Sequence, residues 1–173
     1  MNEKKSLTTE ETLALAVQNH KKNNLQVAEN LYKEILKTNS NHFQSNFLLG
    51  TLSAQTKKFD IAKQLLNKAT EIDPNYVAAH NNLGLVFKEL GEYQKAKSCY
   101  EKAIQINPNY VAAHNNLGIV FDELGDYQKA KSCYEKAIEI QPNYSKAYWN
   151  LHSFVSDIDE ALTILKKLYE IDK

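Results

Sequence analysis

Residues 77–110 read VAAHNNLGLVFKELGEYQKAKSCYEKAIQINPNY and residues 111–144 read VAAHNNLGIVFDELGDYQKAKSCYEKAIEIQPNY, identical at 29 of 34 positions. The five differences are Leu85/Ile119, Lys88/Asp122, Glu92/Asp126, Gln105/Glu139 and Asn107/Gln141. Self-similarity at a fixed period of this size marks a stack of small supersecondary units. Working outward, residues 43–76 keep Leu49, Gly50, Ala62, Leu66, Ala69 and Pro74 in register. Residues 9–42 keep Ala16, Ala28, Tyr32 and Ile35, with Ser40 standing where the proline would be. Downstream, 145–173 begins in register at Ala147, Tyr148, Trp149, Asn150 and Leu151, then loses three residues in the turn before Ala161, Leu165 and Leu168 resume the pattern. Five repeats, at about 9–42, 43–76, 77–110, 111–144 and a shortened 145–173, thus form one domain over 9–173 behind a short tail, 1–8.

Each repeat reads as two helices. Leu83, Val86, Phe87 and Leu90 recur at helical spacing within 78–90. Gly91 ends that run, because glycine readily takes the left-handed conformation of a helix C-terminus. Ala96, Tyr100, Ala103, Ile104 and Ile106 form a second run, which Asn107-Pro108-Asn109 stops, since proline restricts the residue before it. The small residues Gly84 and Ala96 mark where the two helices of a repeat must approach closely, and bulky Tyr100 fills the wider space further out. One hairpin cannot hide its apolar faces alone, whereas stacked neighbours make a continuous core.

His80, Leu83-Gly84, Phe87, Ala96, Tyr100 and Pro108, recurring as His114, Leu117-Gly118, Phe121, Ala130, Tyr134 and Pro142, resemble the tetratricopeptide repeat signature. The departure is histidine where that family often has tryptophan. The resemblance implies an all-α, right-handed superhelical solenoid whose first helices line a concave face. It also implies a protein–protein interaction module or adaptor that holds a peptide or partner protein in that groove.

Counting each repeat from Val77 or its equivalent, positions 2, 5, 6, 9, 12 and 13 are expected to face or border the groove. Position 6 is Asn82, Asn116 and Asn150; position 5 is Asn81, Asn115 and then Trp149. A carboxamide both donates and accepts, so a column of them complements the N–H and C=O groups of an extended backbone. The column is similar to the asparagine ladder in the repeat domain of O-GlcNAc transferases, although Leu48 and Ala14 break it in the first two repeats. The competing reading is a solvated row copied by duplication. Phe47, Leu85, Ile119 and Trp149 would add apolar contact, unless Phe47 and Trp149 pack against neighbouring helices. Lys88, Asp122, Glu89, Glu123 and Asp157 would select charge; the Lys88/Asp122 reversal either tunes ligand choice or is drift. A two-carboxylate clamp for a chaperone C-terminus does not fit, because the sites that would carry its cations are uncharged until Lys146.

Other functions are disfavoured by composition. Formal net charge is zero, with 21 Lys, no Arg and 21 acidic residues, which argues against nucleic acid. No apolar run approaches the roughly 20 residues of a membrane span, and 1–12 lacks the apolar core of a signal peptide. A cytoplasmic setting is expected. His80 and His114 stand one repeat apart, at about 10 Å, too far to share a zinc ion. Cys99 and Cys133 are likewise 34 residues apart and read as reduced packing residues. No metal, cofactor, phosphate loop or catalytic set is expected, so no enzyme. Residues 160–172 read as a last second helix with Leu162, Leu165, Leu168 and Tyr169 on an uncovered apolar face. That face suggests a fragment of a longer protein, such as the recruiting arm of a transferase-like enzyme, or a homodimer. A scaffold whose repeats stack end to end is a further alternative.

Overall fold

A computed structural model describes residues 7–154 and 158–171, with side chains for all of these except 158–161. The sequence-derived selector Asp157 and most of the tail lie outside the described residues. Every described element is a helix, and the chain divides into two compact units, Met1–Val86 and Phe87–Lys173. The first holds α1 (Thr9–Lys21), α2 (Leu25–Thr38), α3 (Phe43–Gln55), α4 (Phe59–Ile72) and most of α5 (Val77–Glu89). The second holds the end of α5, then α6 (Tyr93–Ile106), α7 (Val111–Glu123), α8 (Tyr127–Ile140), α9 (Ser145–His152) and α10 (Ile158–Ile171). First helices of 13 residues alternate with second helices of 14 until α9, where the missing turn leaves 8.

In the first unit Tyr32, Ala16 and Ala28 are fully buried against Leu49 and Leu52, so that repeats one and two share a core. A buried ion cluster ties the same repeats together. Glu29, 6% exposed, accepts from Lys33 at 2.6 Å on its own helix and from Lys58 at 2.7 Å at the head of α4. The Lys33 bond, then the Lys58 bond, hold its carboxyl below the usual range against the opposing effect of burial. A depressed folded pKa contributes stability above the unfolded value of 4.5, lost as pH falls through the folded one. Glu29→Gln should therefore cost about 1 kcal/mol at neutral pH, discounted because both lysines are half exposed. The deficit should vanish in acid. Urea midpoints of both proteins between neutral and strongly acid pH check this; parallel curves would refute it.

In the second unit Ala96, Tyr100, Ala113, Val120, Ala130 and Tyr134 are at most 1% exposed. A Cβ on Gly118 would stand 2.5 Å from Cε1 of the Tyr134 ring, so α7 and α8 approach to a distance that only glycine permits. On α10 the burial pattern corrects the sequence reading: Leu168 is 4% exposed and Ile164 6%, both turned inward. The open stripe is Leu162, Leu165 and Tyr169, which lie 3 and 7 residues along and hence on one helix face.

Two turn devices recur. Two residues past the end of α1, α3, α5 and α7 the chain takes positive φ, at Asn23 (62°), Lys57 (58°), Gly91 (73°) and Gly125 (76°). In four repeats the fourth position anchors the preceding turn by donating to the carbonyl six residues back. Asn46 reaches Ser40 at 2.9 Å, His80 Pro74 at 2.9 Å, His114 Pro108 at 2.8 Å and Tyr148 Pro142 at 3.1 Å. His80 and His114 are thereby turn anchors with Nε2 protonated.

Candidate peptide-binding face

Helical spacing places positions 2, 6, 9 and 13 on one side of each first helix. In the first unit this side belongs to α3 and α5. Asn81 Nδ2 donates to Asn82 Oδ1 at 3.3 Å, Asn82 Nδ2 to Thr51 Oγ1 at 3.1 Å, and Thr51 Oγ1 to the Phe47 carbonyl at 2.9 Å. This relay fixes the Asn82 carboxamide plane and couples α5 to α3. Asn82, half-buried, retains a second N–H and a second acceptor lone pair beyond those bonds. Beside it Tyr76 meets Phe43 and Phe47 edge-on, each at a centroid distance of 4.9 Å. Phe47 is thus half-buried within an aromatic cluster whose rim, Tyr76, is 36% exposed. Leu85 is 37% exposed.

In the second unit α7 and α9 repeat the theme. Asn150 Nδ2 donates to Asn115 Oδ1 at 2.9 Å. Asn116 and Ile119 are half-buried, whereas Trp149 is 60% exposed. Lys88 is tied to the neighbouring Glu89 at 2.7 Å. Asp122 instead opens on a cavity of about 460 Å³ shared with Tyr127, Ser153 and Phe154. Glu123 accepts from the Tyr93 hydroxyl at 3.1 Å, and this bond raises the phenol's pKa.

The structure therefore brings Phe47, Asn81 and Asn82 into one network and Asn115 and Asn150 into another. Asn81 and Asn115, only 7% and 3% exposed, lie beneath the surface and orient their neighbours. Thr51, Tyr76, Tyr93, Tyr127 and Phe154 were missed from sequence. Tyr76 carried a signal, because the last position of the next two repeats is also tyrosine, Tyr110 and Tyr144. The face offers amide donors, acceptors and aromatic surface. Its repeats present no activated nucleophile among their thiols: burial pushes Cys99 and Cys133 up to about 11, keeping both protonated. Among the described residues no group of three His, Cys, Asp or Glu side chains could hold a metal ion. Nor is any described helix long and apolar enough to cross a membrane.

A family model described as Tetratricopeptide repeat matches residues 76–143, and one described as TPR repeat matches 50–91. Together they span 50–143, more than half of the chain. The chain belongs to the tetratricopeptide repeat family. Comparison with curated protein sequences finds no match. Among solved structures, a crystal structure of MamA is 28% identical, with a TM-score of 0.80 over 91% of this chain and 94% of that one. A second MamA crystal structure, also 28% identical, gives 0.81 over 95% and 91%. YrrB, described as a TPR protein with an unusual peptide-binding site, is 20% identical, with 0.75 over 95% and 86%, and supports the fold alone. The tetratricopeptide chain is thus an all-α solenoid of these repeats, and a protein–protein interaction module.

Proposed function

We propose that the first-helix face binds an extended peptide or a partner's segment, read through Asn82, Asn116 and Asn150. The carrying observation is the Asn81–Asn82–Thr51 relay, which holds one amide in a fixed plane beside the Phe43, Phe47 and Tyr76 cluster. Preorganised polar groups next to aromatic surface lower the entropic cost of holding a flexible ligand. Leu85, Ile119 and Trp149 supply apolar contact, and Lys88 and Asp122 discriminate charge. Asn81 and Asn115 serve as positioning residues. The likeness to the O-GlcNAc transferase ladder is consistent with this reading and extends only to the three position-6 amides. The ligand is a protein, not nucleic acid or membrane, and the setting is cytoplasmic. Zero net charge without arginine and two free thiols support that assignment. The reading invokes no catalysis and no cofactor.

The chain's one tryptophan tests it. Peptides selected from a random display library on the intact protein should shift Trp149 emission to shorter wavelength, saturably. Selected peptides that leave the emission unmoved would overturn the assignment of this face.

The exposed Leu162, Leu165 and Tyr169 stripe favours a second reading, in which two copies pair through α10. Sedimentation equilibrium should then show a dimer that Leu165→Lys dissociates. A monomer at every concentration excludes it.

A further inference from the structure

A second exposed apolar surface lies on the second helices of the first unit. Between α2 and α4 runs a groove of about 360 Å³, floored by Leu36, Leu49 and Leu65, walled by Ile61 and rimmed by Lys33 and Lys37. Ile61 is 42% exposed, and no carboxylate lines the groove. The chain carries its own control, because the repeats 68 residues on occupy the same register. There Lys33 becomes Glu101, Lys37 becomes Gln105, Ile61 becomes Lys129 and Leu65 becomes Cys133. Glu101 faces Lys97 at 3.7 Å and Lys129 binds Asp126 at 2.6 Å, so those positions form an ordinary solvated charge network. The first unit has exchanged that network for apolar surface with cations at its edge. Core packing does not require the exchange, since the second unit packs Leu117 in the place of Leu49 without it.

We propose that this groove docks an acidic amphipathic segment of a partner protein, two adjacent apolar side chains seated on Ile61 and Leu65 and carboxylates paired with Lys33 and Lys37. Charge complementarity selects this occupant. Lys33 is partly neutralised by Glu29, but Glu29 is shared with Lys58 and Lys37 has no ion pair among the described residues. A second copy is a poorer fit: its exposed stripe on α10 is flanked by Lys166, which would meet like charge.

The experiment titrates the full chain with a fluorescein-labelled peptide, DELLDELEED, and with its charge-reversed counterpart, KKLLKKLKKK. Two variants take residues already tolerated at equivalent positions, Ile61→Lys after Lys129 and Lys37→Glu after Glu139, so folding is retained and is checked by unchanged melting. The acidic peptide should bind saturably and perturb amides of α2 and α4. Each variant should weaken it about tenfold. The basic peptide should not bind. Four results would overturn the proposal: no saturable binding of the acidic peptide, indifference to peptide charge, wild-type affinity in both variants, or perturbation confined to α3 and α5. Self-association that Ile61→Lys abolishes, without peptide binding, would reassign the groove to a second copy.

Discussion

Tyr134→Ala is expected to destabilise the second unit by about 3–5 kcal/mol, the range for truncating a buried aromatic that leaves a cavity. The ring is 1% exposed and fills the gap between α7 and α8 over Gly118. Gly118→Ala alone should cost about 1–3 kcal/mol, because its methyl would lie 2.5–2.9 Å from three ring atoms that have no free space to retreat into. In the Tyr134→Ala background the sign should invert. With the ring gone, the methyl partly refills the void, and alanine is about 1 kcal/mol better than glycine inside a helix. Amide exchange of α7 and α8 in all four proteins, read as a double-mutant cycle, measures this without assuming all-or-none unfolding of a repeat array. Additive losses would show that the ring does not rest on Gly118. Gly50→Ala should also destabilise, since its methyl would meet Leu66 Cγ at 2.8 Å and Leu65 Cβ at 3.2 Å, atoms held close to the α4 backbone.

Why the repeats were so legible follows from these contacts. A position forced by its neighbours, such as glycine under a tyrosine ring, must recur whenever the neighbours recur, so the period announces it. The positive-φ residue that follows the first four first helices shows the limit of that rule. Glycine holds it in the third and fourth repeats, but Asn23 and Lys57 hold it in the first two, and neither reads as a break without the register. The candidate face was less legible. Period places Asn81 and Asn82 side by side, yet only the contacts of α5 show that one lies beneath the surface and the other is held by Thr51. Thr51 itself has no counterpart among the leucine and isoleucine at position 9 of the next two repeats, so no pattern could mark it. Leu168 failed for a related reason. Spacing along α10 alone cannot tell its apolar sides apart, whereas register can: Leu168 stands in the place of the buried Ala69, Ala103 and Ala137.

Replacing Asn82, Asn116 and Asn150 together by alanine should weaken a bound peptide about a hundredfold, taking each backbone contact at about 1 kcal/mol. The effect should concentrate in dissociation, because lost hydrogen bonds shorten residence more than they slow encounter. Asn82→Ala also strips Thr51 Oγ1 of its donor and Asn81 Nδ2 of its acceptor, so it should lower stability of the first unit by about 1 kcal/mol. That structural effect must be separated from a lost ligand contact, and Thr51→Val separates them. It leaves every position-6 amide in place but releases the plane of Asn82 alone. A positioning role predicts weakening of severalfold, with the Asn116 and Asn150 contributions intact. If the triple alanine protein keeps its helix content and binds the same peptides with wild-type affinity, the amides staple neighbouring repeats and nothing more. If Thr51→Val matches Asn82→Ala in full, orientation of the amide is what the peptide requires, and the relay through α3 is part of the site.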